Sequence, residues 1–141
     1  MDDKGRLKLP VPFQQYLSAL PEKKLFATSL DRATARIYPI AVWRETENAL
    51  RGARGEDASR ARRVYFSAME LGADSELDGQ GRVLLPPELR RTLGIENQGV
   101  HVLADRGRID ILSQAQFEER RRAAAGDPAA DVEQLEMAGL V

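Results

Sequence analysis

The sequence predicts an α+β protein of two pseudo-repeated β-barrel halves with peripheral helices. Three observations predict this fold: a nine-residue segment occurs twice, strands and helices follow the same order in both halves, and the strands are short with little long-range alternation. Such strands are typical of small barrels and not of parallel open sheets. With 141 residues, 43% of them apolar and 30% charged, the chain can form one globular core, or two small cores that share an interface.

The repeated segment is a tight turn followed by a short strand. It covers residues 2–10 and again 78–86, and Arg6 and Arg82 are 76 positions apart. The same offset aligns five identical pairs, which are Asp2/Asp78, Gly5/Gly81, Arg6/Arg82, Leu9/Leu85 and Pro10/Pro86. Repetition at a fixed spacing indicates duplication of a small domain. Each copy places an arginine at the start of a strand, directly after an Asp-x-x-Gly turn.

The first half is predicted to continue from its turn as strand, short helix, two strands and helix. Apolar patterns indicate strands at 6–9, 24–30 and 35–40. Pro12 suits the first position of the short helix, because the N–H that proline lacks is not needed there. Pro39 opens the second helix, whose apolar stripe is Val42, Trp43, Thr46, Ala49 and Leu50. Trp43 is interpreted as a core or subunit-contact residue because it lies on this stripe.

A linker and a connecting helix are predicted over residues 51–72. Residues 51–56 have the composition of a linker. Asp57 can cap the helix that follows, and Gly72 can end it. The helix carries an apolar stripe of Ala61, Val64, Tyr65, Ala68 and Leu71.

The second half, residues 73–125, repeats the order of the first. Strands are predicted at 73–77, 82–85, 100–104 and 109–112, with a short helix from Pro87 to Gly94. Ser113 and Gln116 form a capping box that opens the last helix. On this helix Phe117 occupies the position that corresponds to Trp43 in the first half. Residues 126–141 are predicted to be an acidic, disordered tail.

Charge and composition restrict the cellular setting. The chain has no cysteine, no segment resembling a signal peptide and no apolar stretch long enough to span a bilayer, so a cytoplasmic protein is expected. Its net charge of −1 does not favour a nucleic-acid partner. However, residues 127–141 contain four of the 22 acidic residues and none of the 21 basic ones, which leaves +3 on the rest of the chain.

The Asp-x-x-Gly-Arg turn has two interpretations. Glycine permits a positive φ and aspartate can bind the turn backbone, so one copy alone would be an ordinary hairpin with a surface ion pair. Two copies in register favour a functional role. A guanidinium held by a carboxylate can bind phosphate or guanine O6 and N7, and Lys4 and Gln80 add donors at the two tips.

Enzyme signatures are absent from the sequence. There is no phosphate-binding Gly-Lys loop, no pair of histidines and no nucleophile elbow. His101, the single histidine, is interpreted as a structural or surface residue. We therefore predict a protein that is not an enzyme and that needs no cofactor or metal.

These residues together resemble the MraZ family of bacterial regulators of the division and cell-wall gene cluster. The resemblance rests on segments 2–10, 37–43, 61–67, 76–86 and 108–113. It implies two AbrB/SpoVT-type swapped-hairpin repeats, at 1–50 and 73–125, in a DNA-binding transcriptional regulator located at the nucleoid. It also implies a ring-shaped homo-oligomer that binds tandem repeats of double-stranded DNA in a promoter.

The resemblance also implies which residues contact DNA. The family's Asp-x-x-x-Arg motif corresponds to Asp2/Arg6 and to Asp78/Arg82. The predicted DNA-binding set is Asp2, Lys4, Gly5, Arg6, Asp78, Gln80, Gly81 and Arg82. Family members normally carry about ten residues before the first motif, forming a strand that pairs with the strand after the turn. Here Met1 precedes Asp2 directly, so either the start of the chain is shortened or the first half lacks one strand. In both cases Arg6 is expected to be held less securely than Arg82.

Other arginine clusters leave alternatives open. Arg60, Arg62 and Arg63 lie on the connecting helix and residues 120–122 on the last helix, where a solvated face, a subunit interface and an auxiliary phosphate contact are all compatible with the sequence. Arg90 and Arg91 could assist phosphate binding by the turn. The alternative function is an oligomeric interaction scaffold or antitoxin-like partner protein without DNA binding, which the acidic tail and low net charge favour.

Overall fold

The computed structural model describes residues 1–141 and contains seven strands and six helices, which confirms the α+β class. The strands are β1 (Arg6–Lys8), β2 (Lys24–Thr28), β3 (Ala35–Pro39), β4 (Ala73–Glu76), β5 (Arg82–Leu84), β6 (Val100–Asp105) and β7 (Arg108–Ser113). The helices are α1 (Val11–Ser18), α2 (Ile40–Gly52), α3 (Asp57–Leu71), α4 (Pro87–Leu93), α5 (Gln114–Ala123) and α6 (Pro128–Met137).

The strands form two antiparallel sheets. The larger has five strands in the order β4-β2-β3-β7-β6, and the smaller is a ribbon of β1 and β5. The larger sheet does not close into the predicted barrel, because β4 and β6 are its edges and β1 and β5 pair with each other. Both halves of the chain supply strands to each sheet. The division into two equivalent halves and the swapped-hairpin arrangement stay predictions.

The ribbon joins the two copies of the repeated segment. Leu7 lies opposite Val83, Arg6 opposite Leu84, and Lys8 opposite Arg82. Leu7 and Val83 are 76 positions apart, so the register maps onto itself when the copies are exchanged. Two further backbone hydrogen bonds obey the same exchange, from Leu9 N–H to the Gly81 carbonyl and from Leu85 N–H to the Gly5 carbonyl, both 3.0 Å.

One large core cluster supports the ribbon. It contains 14 buried residues, which come from the ribbon, the five-stranded sheet, the helices α1, α3 and α4, and the loops that adjoin them. Leu7 and Val83 are 5% and 0% exposed, so the ribbon buries one face against this core and leaves the other face open. Burial of such a side chain stabilises the fold by about 1.5–3 kcal/mol.

A second cluster fixes α2 and α3 on the five-stranded sheet. The Trp43 ring stacks on Phe26 with centroids 4.5 Å apart, and Tyr38 lies at 5.3 Å. Trp43 is 4% exposed, which confirms the core interpretation of this residue. The Thr28 hydroxyl donates to the Ala68 carbonyl at 2.6 Å, so a buried polar group on β2 is satisfied by α3.

Most helix ends follow the predicted signals, although Pro12 is the second residue of α1 and not the first. Gly94 ends α4 in the left-handed conformation at φ 65°, and the capping box of Ser113 and Gln116 is present. A second exception is Asp57, which is the first residue of α3 and not its cap, because Glu56 holds the capping position and makes no side-chain cap bond. In addition, α2 extends to Gly52, which shortens the linker at its start.

The acidic tail, for which the sequence predicts disorder, contains the helix α6. Asp127 caps it by accepting a hydrogen bond from the Ala130 N–H at 3.2 Å, and Pro128 occupies its first turn. These local signals explain why a helix starts there. Every residue of α6 is exposed. None of the helices is both long and apolar enough to cross a membrane.

Candidate nucleic-acid interface

The two Asp-x-x-Gly-Arg turns have the same backbone hydrogen bonds. In the first turn Asp2 N–H donates to the Arg6 carbonyl at 2.9 Å, and Gly5 N–H donates to the Asp2 carbonyl at 3.2 Å. In the second turn the corresponding distances, from Asp78 to Arg82 and from Gly81 to Asp78, are 2.8 and 3.1 Å. Identical short-range bonding means that the five-residue sequence itself specifies the turn.

Each aspartate side chain binds both the backbone and the arginine of its own turn. Asp2 Oδ1 accepts from the Lys4 and Arg6 N–H groups, both at 2.9 Å, and Asp78 Oδ1 accepts from Gln80 and Arg82 at 2.8 and 2.9 Å. The other oxygen accepts from the arginine Nε, at 2.8 Å in the first turn and 3.0 Å in the second.

These hydrogen bonds change the titration of both carboxyl groups. The pKa of Asp2 lies below its ordinary value, chiefly because the backbone N–H of Arg6 donates to its ionised form. The pKa of Asp78 is lowered in the same way, chiefly by the N–H of Arg82. Desolvation opposes the shift in both turns but is outweighed. Both carboxylates are therefore ionised at neutral pH.

The turn glycines approach side chains from the opposite half of the molecule. Gly5 and Gly81 have φ of 79° and 77°, in the left-handed region that disfavours other residues. A Cβ atom at Gly5 would overlap with the guanidinium of Arg90 on α4, and one at Gly81 would overlap with the amide of Gln14 on α1. A side chain at either position would thus strain the turn backbone and displace the end of the Arg90 or Gln14 side chain.

Arg6 and Arg82 point to the same side of the ribbon. Together with Lys8 they line one open depression of about 430 Å³. In an antiparallel pair, diagonal positions such as those of Arg6 and Arg82 have Cα atoms about 7–8 Å apart. Their side chains are 30% and 23% exposed. The turns that precede these arginines lie at opposite ends of the ribbon, because β1 and β5 are antiparallel.

The Nη atoms of both arginines remain available to a ligand. Each guanidinium uses its Nε for the aspartate of its own turn, and no Nη atom of either donates a hydrogen bond to the protein. The nearest further acceptor is Asp2 Oδ2, which is 3.9 Å from Nη1 of Arg82. A guanidinium oriented in this way can bind an anion with its outer nitrogens, as in arginine–phosphate pairs.

The remaining predicted site residues are at the tips of the turns. Lys4 and Gln80 are exposed, and the structure records no side-chain hydrogen bond for either. Lys8 was not predicted as a site residue, although it shares the open face with both arginines. The alternation of Arg6, Leu7 and Lys8 was the available signal, but it needed the pairing partner to show which face is open.

Gln14 and Arg90 were also missed as supports of the turns. They are 76 positions apart, so the internal repeat contained the signal. Gln14 Nε2 donates to the Leu9 carbonyl at 2.6 Å. Arg90, whose side chain is 13% exposed, has a buried Nε without a hydrogen-bond partner and lies 3.9 Å from Glu96.

The other arginine clusters lie outside the ribbon. Arg60 and Arg62 are exposed and bind neighbours on their own helix, Asp57 and Ser59. On α5, Arg122 pairs with Glu119 at 2.6 Å. Arg121 lies 5.0 Å from the ring centre of Phe117, which in turn stacks on His101 at 3.8 Å. No group of three or more His, Asp or Glu side chains could hold a metal ion.

Comparison with known proteins gives a consistent result. A family profile described as "MraZ protein, putative antitoxin-like" matches residues 70–134. The chain is similar to a protein named "Transcriptional regulator MraZ" from Solidesulfovibrio magneticus, with 33% identity over 143 residues that cover 99% of this chain and 91% of that relative.

Two more relatives carry the same name. The protein from Acidobacterium capsulatum is 31% identical over 120 residues, covering 84% of this chain and 80% of the relative. The protein from Moorella thermoacetica is 35% identical over 121 residues, covering 84% and 79%. Relatives named as transcriptional regulators, and not as enzymes, agree with the expectation that this chain is not an enzyme.

Proposed function

The chain belongs to the MraZ family of transcriptional regulators, and from this premise we propose that it binds double-stranded DNA through its two Asp-x-x-Gly-Arg turns. The proposed DNA-binding site comprises Asp2, Lys4, Gly5, Arg6, Asp78, Gln80, Gly81 and Arg82. The observation that carries the proposal is the pair of arginines on one open face, each held by a carboxylate at Nε with its Nη atoms unused.

The roles of these residues follow from their positions. Asp2 and Asp78 orient the arginines and are not themselves phosphate ligands, because a carboxylate repels phosphate. Gly5 and Gly81 allow the turn to form. Lys4 and Gln80 supply donors at the tips, and Lys8 adds a third cation between the two turns. Phosphate contacts position the protein, and the arginine forks can also distinguish guanine from other bases.

One ribbon offers few phosphate contacts, so its affinity for DNA as a single copy is expected to be low. We therefore propose that copies of the chain assemble into a ring-shaped homo-oligomer that binds tandem repeats in a promoter. Linking several weak sites raises the overall affinity strongly through effective concentration. This explains how a subunit with a net charge of −1 can bind DNA selectively.

The proposal includes the gene target and the domain organisation. We propose that the repeats lie upstream of the division and cell-wall gene cluster and that the protein acts at the nucleoid in the cytoplasm. In this scheme residues 1–50 and 73–125 are two AbrB/SpoVT-like repeats, joined by residues 51–72. The self-mapping register of β1 and β5 supports this organisation at the ribbon.

The test is the double substitution Arg6→Ala with Arg82→Ala in a gel-shift experiment on promoter DNA that contains tandem repeats. The double variant should lose the shifted band while the mass of the oligomer stays the same. The wild-type protein should show a steep negative slope of log K against log salt. The control is Arg44→Ala, which removes an exposed arginine on α2 that pairs with Glu22 away from the ribbon. Unchanged binding by the double variant would refute the assignment of these arginines.

A second candidate function is an oligomeric scaffold or antitoxin-like partner that binds another polypeptide. The matching family profile, described as "putative antitoxin-like", and the net charge of −1 favour it. The two functions predict different behaviour at low salt. A protein partner recovered in stoichiometric amounts, together with no retardation of any repeat DNA, would select the second function.

A further inference from the structure

Helices α2 and α3 border an open groove that no part of the chain fills. The groove has a volume of about 470 Å³ and is lined by six apolar side chains and two arginines. Phe66 and Met69 are 66% and 45% exposed. They lie on the side of α3 that faces away from the core, since Ala61, Ala68 and Leu71 form its buried side.

The exposed apolar side chains are concentrated in two places. Eleven large apolar residues are exposed in the whole chain, of which two are in the groove and five are in residues 132–141. Those five are Val132, Leu135, Met137, Leu140 and Val141. Each of the two surfaces is therefore a candidate interaction site, because exposed apolar patches mark such sites.

The two surfaces also carry opposite charges. The groove is lined by Arg51 and Arg62, and Arg63 lines the depression beside it. On α6, Val132 and Leu135 are three positions apart and so lie on one face of the helix. Asp131 and Glu136 flank that face. None of the four tail carboxylates takes part in an ion pair, and no residue of α6 is buried.

From this complementarity we infer that helix α6 of one copy docks in the α2–α3 groove of a second copy. Val132 and Leu135 contact Phe66 and Met69, while the flanking carboxylates face Arg62 and Arg51. This is the mode in which an amphipathic helix places its apolar face in a groove. DNA is a less suitable occupant, because six of the eight residues that line the groove are apolar.

The contact has a consequence for the assembly. The groove and the tail helix are different surfaces, so the contact is heterologous, and repeated head-to-tail contacts produce a closed ring or an open filament. The inference therefore rests on the oligomer of the proposed function and names a contact that joins its copies. It does not depend on DNA binding.

The test uses two full-length variants, each with one surface disabled. Phe66→Asp disables the groove and keeps the tail, whereas Leu135→Asp disables the tail and keeps the groove. Both residues are exposed, so both variants should fold. In sedimentation velocity, each variant alone should have a lower mass than the wild type, with subunit affinity weakened at least about tenfold. An equimolar mixture should form a species containing one chain of each kind, because one intact groove then meets one intact tail.

The matched control is Met137→Asp. Met137 is 78% exposed on the same helix but lies about 200° around it from Leu135, so this variant should keep the wild-type mass. Three outcomes overturn the inference. If the mixture gives no joint species, or if Leu135→Asp keeps the wild-type mass, α6 does not dock in the groove. The copies can then still form a ring through another contact. If the wild type has the mass of one chain at every concentration, both the contact and the proposed ring fail.

Discussion

The two arginine turns have equal internal hydrogen bonds but different surroundings. The second turn follows β4, which pairs with β2 in the five-stranded sheet, and Leu77 forms a bridge with Val83. The first turn follows Met1, whose amino group donates to the Gln98 carbonyl at 3.2 Å. The same five-residue turn is thus attached to the sheet in one copy and to a loop in the other.

The carboxylates also differ in what they reach. Asp2 lies 2.8 Å from Arg6 and 3.9 Å from Arg82, whereas Asp78 pairs with Arg82 alone. The first carboxylate therefore lies between the two cations. Two turns with the same sequence-specified backbone can therefore differ in their electrostatic surroundings, because neighbours from the rest of the chain decide which charges remain compensated.

The largest expected effect separates the two arginines in DNA binding. Arg82→Ala should weaken binding more than Arg6→Ala, because it leaves Asp78 without a cation, while Asp2 keeps Arg82 within reach after loss of Arg6. A hydrogen bond to a charged group contributes about 1.5–3 kcal/mol, so each substitution should cost at least about tenfold in affinity. Fluorescence anisotropy with repeat DNA measures both, with Arg44→Ala as the control. A greater loss with Arg6→Ala would reverse the ranking.

A smaller effect is expected where the turns meet the helices beneath them. Arg90→Gln should raise the free energy of unfolding by about 1 kcal/mol, because it removes a buried N–H without a partner and supplies the amide present at Gln14. The reciprocal Gln14→Arg should lower it by a similar amount, because the Leu9 carbonyl loses its donor.

Urea unfolding of both variants measures these changes. Arg91→Gln is the matched control, since Arg91 is an exposed neighbour of Arg90 on the same helix. It should leave the free energy of unfolding nearly unchanged. Destabilisation by Arg90→Gln would indicate that the guanidinium supports the first turn and that its charge outweighs its unpaired Nε.

The smallest expected effect concerns acid pH. The pKa values of Asp2 and Asp78 are lowered in the folded chain, so their contribution to stability is fully present above the ordinary carboxyl value of about 4. It is lost as the pH falls through the lowered pKa of each group. Asp2→Asn with Asp78→Asn should flatten this part of the pH profile of unfolding. An unchanged profile in the double variant would mean that other carboxyl groups cause the acid loss.

Most secondary structure was predictable, because its signals are local. Pro12, Pro39 and Pro87 lie at helix starts, Gly72 and Gly94 at helix ends, and Ser113 caps α5 as expected. The predicted cap at Asp57 was wrong by one residue, which is the usual precision of a helix boundary. The predicted barrel was wrong because closure of a sheet does not depend on local signals. Its closure depends on which edge strands pair, and edge pairing uses backbone groups that every sequence shares.

The sequence by itself determined the two turns, because Asp, Gly and Arg at this spacing make every hydrogen bond that defines them within five residues. The tertiary structure alone decided that β1 pairs with β5, and so that Arg6, Lys8 and Arg82 share one open face. It also decided that Arg90 lies under one turn and Gln14 under the other. The physical reason is that strand pairing and burial join residues far apart in the chain. The backbone groups that form these pairs are the same at every position, so the local sequence does not specify the partner strand.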